Sequence, residues 1–210
     1  MSATITGADG RERCRWCAAT PEYVAYHDRE WGFPVDDDRR LFEKLCLEGF
    51  QSGLSWRTIL AKRENFRTAF AGFDFQRLAG WGEREVERLL QDEGIVRHRG
   101  KIEAVIHNAA CARELARREG SLAAYFWRFE PDAGPVPPQS ASTCAESVAL
   151  SKALKQQGWK FVGPTTVYAF MQAMGLVNDH AHGCASRAEA QRARQAFVRP
   201  ARGGDPKGCG

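Results

Sequence analysis

Two pairs of metal-binding side chains stand near opposite ends of this chain, Cys14 with His27 and His180 with Cys184. One ion held by all four would force the first and last parts of the fold together, a stronger constraint on topology than any local pattern. Three residues separate His180 from Cys184, which suits two ligands converging from a compact turn; the first pair is looser. The loop to be closed spans about 150 residues, yet closure entropy grows only logarithmically with length. Two thiolates and two neutral imidazoles make a closed tetrahedral Zn²⁺ site with no position for water, which is structural rather than catalytic. Spacing alone leaves rivals. Cys14 and Cys17 form a C-x-x-C pair, His182 lies two residues from His180, and a Cys14, Cys17 and Cys184 set has the same chemistry. Cysteine is also common core filler, and this chain has seven.

Composition narrows the class. With 210 residues and 43% hydrophobic content the chain can bury a substantial core. Apolar runs such as 168–177 are too short for a bilayer, and the N-terminus lacks a charged region leading into an apolar run, so the expected location is cytoplasmic. An odd cysteine count without dense spacing points to reduced thiols. The net charge of +4 comes from the end of the chain: residues 185–210 carry Arg187, Arg192, Arg194, Arg199, Arg202 and Lys207 against Glu189 and Asp205. The preceding 184 residues are formally neutral, so nucleic-acid binding must rest on local patches. The Gly- and Pro-containing tail reads as mobile and solvated.

Helical periodicity dominates. Leu41, Phe42, Leu45 and Cys46 follow Asp38 at helical spacing; Val86, Leu89 and Leu90 precede Gly94; Ile102, Val105, Ile106 and Ala109 define another apolar face. Further helical stretches lie at 122–129, 148–154 and 166–174, and no comparable set of alternating strands is present. Residues 130–142 hold four prolines and read as an exposed connection. Between two helices lies Gly94-Ile95-Val96-Arg97-His98-Arg99-Gly100-Lys101. A helix–hairpin–helix of this kind presents backbone N–H groups, a helix N-terminus and basic side chains to phosphate without reading sequence. A solvated turn with arginines satisfies the same pattern.

A denser constellation runs from Leu47 to Trp56. Glu48 closes an apolar helical stretch, where a carboxylate is avoided unless it faces a cavity or a partner. Gly49 and Gly53 permit tight turns or close ligand approach, and Leu54 is placed to protrude into a base stack. Trp16, Tyr23, Tyr26 and Trp56 supply flat surfaces near Cys14, His27 and Glu48 in sequence, although any one aromatic at helical spacing is more often core.

Five segments in order, Arg13-Cys14-Arg15-Trp16, Tyr26-His27-Asp28-x-Glu30-Trp31-Gly32, Leu47-Glu48-Gly49 through Gly53-Leu54-Ser55-Trp56, Gly94 to Ile102, and Leu176-Val177-Asn178-Asp179-His180, resemble the bacterial 3-methyladenine DNA glycosylase I family. The resemblance covers about residues 12–184. It implies an all-α helix–hairpin–helix glycosylase fold, with the hairpin unit at about 82–118 and a zinc-stapled lobe built from both termini. Residues 1–11 would be a flexible extension and 185–210 a basic tail. It assigns one structural Zn²⁺ to Cys14, His27, His180 and Cys184, leaving Cys17 and His182 as non-ligands. It places Trp16, Tyr23, Tyr26, Trp56 and Glu48 around an extruded base, Gly53 and Leu54 at the gap in the duplex, and Gly94, Arg97, Arg99, Gly100 and Lys101 on the DNA backbone.

The implied partner is alkylated double-stranded DNA, the product free 3-methyladenine, and the protein a monomer with no membrane association. N3-alkylation gives adenine a positive charge and makes it a good leaving group, so recognition is the main task. The nucleotide must be flipped from the duplex at a cost of a few kcal/mol. Electron-rich rings stack on the cationic purine, at about 2 kcal/mol when desolvated. Glu48 would accept from the exocyclic amine and stabilise the transition state electrostatically. With no assigned Schiff-base lysine (Lys152, Lys155 and Lys160 read as surface groups), the reaction is expected to be monofunctional hydrolysis leaving an abasic site. Two other classes use some of the same residues: a non-catalytic, zinc-stabilised DNA-binding module, and a metal-dependent hydrolase with Glu48 as base, which a closed Cys₂His₂ site disfavours.

Overall fold

Side-chain caps mark where the helices of the computed structural model begin; it describes residues 2–134 and 137–201. Helix α1 (Pro21–Arg29) starts where Thr20 accepts from the Tyr23 N–H with Pro21 in the first turn, and α2 (Asp38–Gln51) where Asp37 accepts from Arg40 N–H at 2.8 Å. Ser55 caps α3 (Trp56–Ala61), which is followed by α4 (Arg63–Ala69). Asp74 caps the short α5 (Phe75–Leu78). The expected hairpin unit is α6 (Glu83–Leu90), a turn, and α7 (Arg99–Glu119), with the His98 side chain accepting from Lys101 N–H. Then come α8 (Leu122–Phe126), α9 (Ala145–Gln156), α10 (Pro164–Ala173) and α11 (Ala185–Ala196).

Helix α2 is the axis of the molecule. Residues 41–50 are buried on every side, because α7, α8 and α10 pack around it. A helix so enclosed must compensate its own charges. Glu43 pairs with Arg67 at 2.8 Å and Lys44 with Glu48 at 2.7 Å. The core is continuous through α2, α7 and α10. Gly175, at φ +78°, lets the segment after α10 pass so close to Phe33 and Pro34 that a Cβ would overlap their backbone. No helix among the described residues is long and apolar enough to cross a membrane.

Near both ends the described residues are more ordered than the sequence suggests. The extension expected to be flexible over 1–11 is corrected for residues 2–11: strand β1 (Thr4–Thr6) pairs antiparallel with β2 (Glu12–Cys14), and Arg15 donates to the carbonyls of Ser2 and Thr4, while residue 1 lies outside the described residues. The two three-residue strands went unread because they are too short to alternate visibly. The expected mobile tail is corrected for 185–196, which form α11: Ser186 and Ala190 are small enough to bury, while Arg11 pairs with Glu189 and Arg194 with Glu130. Residues 202–210, with Arg202 and Lys207, lie outside the described residues. The connection over 130–142 is partly structural, since Glu130 also binds Arg199 and Gln139 reaches into the terminal lobe.

Candidate functional site

The hairpin of β1 and β2 ends at Cys14, α1 carries His27, and the turn after α10 carries His180 and Cys184; all four are buried, with donor atoms within 4.8 Å of one another. His180 Nδ1 lies 3.2 Å from His27 Nε2, Cys184 Sγ 3.5 Å from His27 Nε2, and each sulfur 3.7 Å from His180 Nδ1. Bonds of about 2.0–2.1 Å to nitrogen and about 2.3 Å to sulfur around a tetrahedral ion separate two nitrogens by roughly 3.3 Å and nitrogen from sulfur by roughly 3.6 Å. The donor set therefore fits a metal. The groups behind it complete the fit: His180 Nε2–H donates to Trp31 O at 2.9 Å and His27 Nδ1–H to Asp28 at 2.8 Å, so both remaining nitrogens turn their lone pairs inward. Asp28 is held by Arg13, and Cys14 Sγ accepts from Gln139 Nε2 and Ala181 N–H at 3.1 and 3.3 Å. The thiol of Cys14 and the imidazoles of His180 and His27 pull Cys184 well below the usual thiol range, against the effect of burial. Gly32, at φ +85°, is required here, because a Cβ would lie 2.9 Å from His180 Nε2.

Beside the cluster is a cavity of about 150 Å³ that brings together Trp16, Tyr23, Tyr26, Glu48 and Trp56, with Trp31, Lys44, Gln51, Ala169 and Gln172. Trp16 serves both sites: it packs against Cys14, Ala181 and Cys184 and meets Tyr23 edge-on at 4.9 Å. Tyr26 stacks toward Tyr23 at 6.4 Å and lies 5.5 Å from Trp56. Sequence reading missed Lys44. Its ammonium is 2.7 Å from Glu48 Oε1, donates to Tyr26 Oη at 2.9 Å, and sits 3.1 Å from the centre of the Trp56 ring. Burial pushes Lys44 down to about 8 despite Glu48, and the same cause raises the Tyr23 and Tyr26 phenols. A second hollow, of about 240 Å³, shares Glu48, Gln51 and Ala169 with the cavity and opens past Ser52, Gly53, Leu54, Thr165 and Thr166. Gly53 takes φ +82°, and Leu54 is 42% exposed at the lip.

The methyladenine glycosylase family model matches residues 16–188. The chain belongs to the methyladenine glycosylase family. It is 50% identical over 180 residues to DNA-3-methyladenine glycosylase 1 of Escherichia coli (strain K12), an alignment covering 82% of this chain and 95% of that protein. It is 45% identical over 177 residues to DNA-3-methyladenine glycosylase of Haemophilus influenzae, covering 82% and 96%. A crystal structure of 3-methyladenine DNA glycosylase I superposes with a TM-score of 0.77 at 50% identity, covering 82% of this chain and 98% of that one. A Staphylococcus aureus structure of 3-methyladenine DNA glycosylase I, solved for 3-methyladenine recognition, gives 0.79 at 34% identity, covering 83% and 96%.

On this methyladenine glycosylase the hairpin differs from its sequence reading in two side chains. Helix α7 begins at Arg99, so Gly100 and Lys101 lie in its first turn. The Lys101 ammonium points inward, donating to Phe50 O at 2.9 Å and Ser52 O at 2.6 Å, and it is not available to phosphate. Arg99 is claimed by Glu83 at 2.6 Å, by Glu87, and by Glu103 at 3.4 Å, which cancels its charge locally. Arg97 is the half-exposed guanidinium of the turn, with Glu93 at 3.6 Å. Gly94 is packed rather than open: its N–H donates to Asp92 at 2.8 Å and its carbonyl accepts from Lys62 and Asn65.

Proposed function

We propose that this chain releases N3-methyladenine from duplex DNA in the cavity beside the metal cluster, with Glu48, Trp16, Tyr23, Tyr26 and Trp56 as its base-binding groups. The observation that carries the assignment is the convergence of five electron-rich rings, Trp31 included, and one buried carboxylate on a single cavity within a methyladenine glycosylase. The activity is base excision: the N-glycosidic bond is hydrolysed, the base leaves and an abasic site remains. The rings stack on the purine cation, and Glu48 accepts from its exocyclic amine and balances charge as the bond breaks. Leu54, raised on the Gly53 turn, fills the gap in the duplex. Arg97 and the first N–H groups of α7 meet the backbone phosphates, with Gly94 and Gly100 shaping the turn. Zn²⁺ is the metal we assign to the cluster, in a structural role, since a Cys₂His₂ set leaves no open position. We place the protein in the bacterial cytoplasm, acting on chromosomal DNA as a monomer.

The test is incubation of methylated duplex DNA with purified protein, followed by chromatography of the released bases. 3-Methyladenine is the expected product, in an intact strand carrying an abasic site. Tight duplex binding with no base released would make this a binding module. Borohydride should trap no protein–DNA adduct; an adduct on Lys44 would mean an imine and a lyase step.

A further inference from the structure

We propose that Lys44 sets the charge selectivity of the base pocket: its ammonium occupies the place between Glu48 and Trp56 that a cationic purine needs, so excision of N3-methyladenine proceeds through the neutral amine. This rests on the base-pocket reading above. The carboxylate and the indole face assigned to the base are already engaged, with Lys44 Nζ at 2.7 Å from Glu48 Oε1 and 3.1 Å from the Trp56 ring centre. Lys44 is a built-in competitor with the same chemistry as the lesion: a cation on an aromatic face beside a carboxylate.

The charges around it can be counted element by element. Helix α2 contributes Lys44 and Glu48; α1 contributes Tyr23, Tyr26 and Glu30, and Glu30 is paired with Arg63 of α4 at 2.7 Å. Helix α3 presents Trp56, α10 presents Ala169 and Gln172, and the turn before α1 presents Trp16, none of them charged. With both phenols neutral, the pocket has no net charge while Lys44 is protonated and one negative charge when it is not. A cationic base entering the first state buries an uncompensated positive charge; entering the second, it restores neutrality. The exchange is a proton for a base: Lys44 releases H⁺ to solvent as the purine cation takes its place. Burial holds Lys44 at about 8, so close to a tenth of the molecules carry the neutral amine at pH 7. Undamaged adenine has no charge to offer in return for breaking the Lys44–Glu48 pair, so the pair also screens out normal bases.

Single-turnover release of 3-methyladenine, with protein in excess over methylated duplex DNA at constant ionic strength and corrected for spontaneous depurination, tests this between pH 6 and pH 9. The wild-type rate constant should rise by up to about tenfold from pH 7 to pH 9 as Lys44 loses its proton. Lys44→Met, matched in length, should be flat over that range and about tenfold faster than wild type at pH 7. Lys44→Arg, which keeps its charge, should remain slow throughout. A flat wild-type profile, or a Lys44→Arg profile that rises like wild type, overturns the role of Lys44; the first needs no variant to fold. Failure of the wild type to release base at any pH overturns the pocket reading, and this proposal with it.

Discussion

Glu48 is 5% exposed, and the Lys44 ammonium is its ion-pair partner at 2.7 Å. The pair makes Glu48→Gln a sharper experiment than loss of one hydrogen bond. In the base-binding role we propose, the amide still reaches the exocyclic amine but the charge facing the cation is gone, and release of 3-methyladenine should slow by about 10- to 100-fold, the range for a charge-assisted hydrogen bond. Lys44 simultaneously loses the group that holds its proton, so any rise in rate with pH should move to lower pH. Metal content and nonspecific duplex binding should not change; full activity at every pH would move recognition onto the aromatic residues. These residues were legible in sequence because five groups of unusual chemistry fall in two short stretches, 16–26 and 48–56. Lys44 was not, because a lysine four residues before a glutamate reads as an exposed helical pair; only the packing around α2 makes it a pocket group.

Helix α7 and the end of α2 are joined by one cation. Lys101 donates to Phe50 O and Ser52 O at the C-terminus of α2, where carbonyls lack helical partners and the helix dipole favours positive charge. That contact couples the hairpin to the Gly53-Leu54 turn, so Lys101 positions the lip of the pocket. Lys101→Ala should lower stability by about 1–3 kcal/mol in a denaturation assay. It should slow base excision while leaving the salt dependence of duplex binding unchanged; a salt slope smaller by about one would restore it as a phosphate contact. Arg97→Ala is the variant expected to reduce that slope. Leu54→Ala should reduce the rate of base release at saturating enzyme more than it weakens initial duplex binding, since in the role we propose the side chain acts once the base has left the stack. The hairpin itself is readable from sequence, but the role of Lys101 depends on where α7 begins. Residues 101, 104, 105, 108 and 112 share its buried face, and a lysine at the head of that periodicity was the available signal.

At the scale of the molecule, two distant parts of the chain meet at one point, and the base pocket leans on that point. Trp16 follows Cys14 by two residues, Tyr26 immediately precedes His27, and Trp31 holds His180 through its carbonyl, so ligands and pocket walls are fixed by the same backbone. The constraint that Cys14, His27, His180 and Cys184 place on topology was visible at the start. The terminal hairpin and α11 were not, because they are stabilised by contacts across the whole chain, such as Arg11 with Glu189, rather than by local pattern. Metal loss should therefore cost stability and activity together. Cys184→Ala should abolish stoichiometric zinc and lower the thermal midpoint, because three ligands cannot hold a closed site and the lobe loses binding energy that is also folding energy. Cys17→Ala and His182→Ala should keep one zinc per chain, and zinc loss in either would redraw the ligand set. A chelator strong enough to strip wild-type protein should reproduce the lower midpoint of Cys184→Ala, and base excision should decline in step with the unfolding of the lobe. Activity lost at unchanged stability would instead make the ion a participant in hydrolysis.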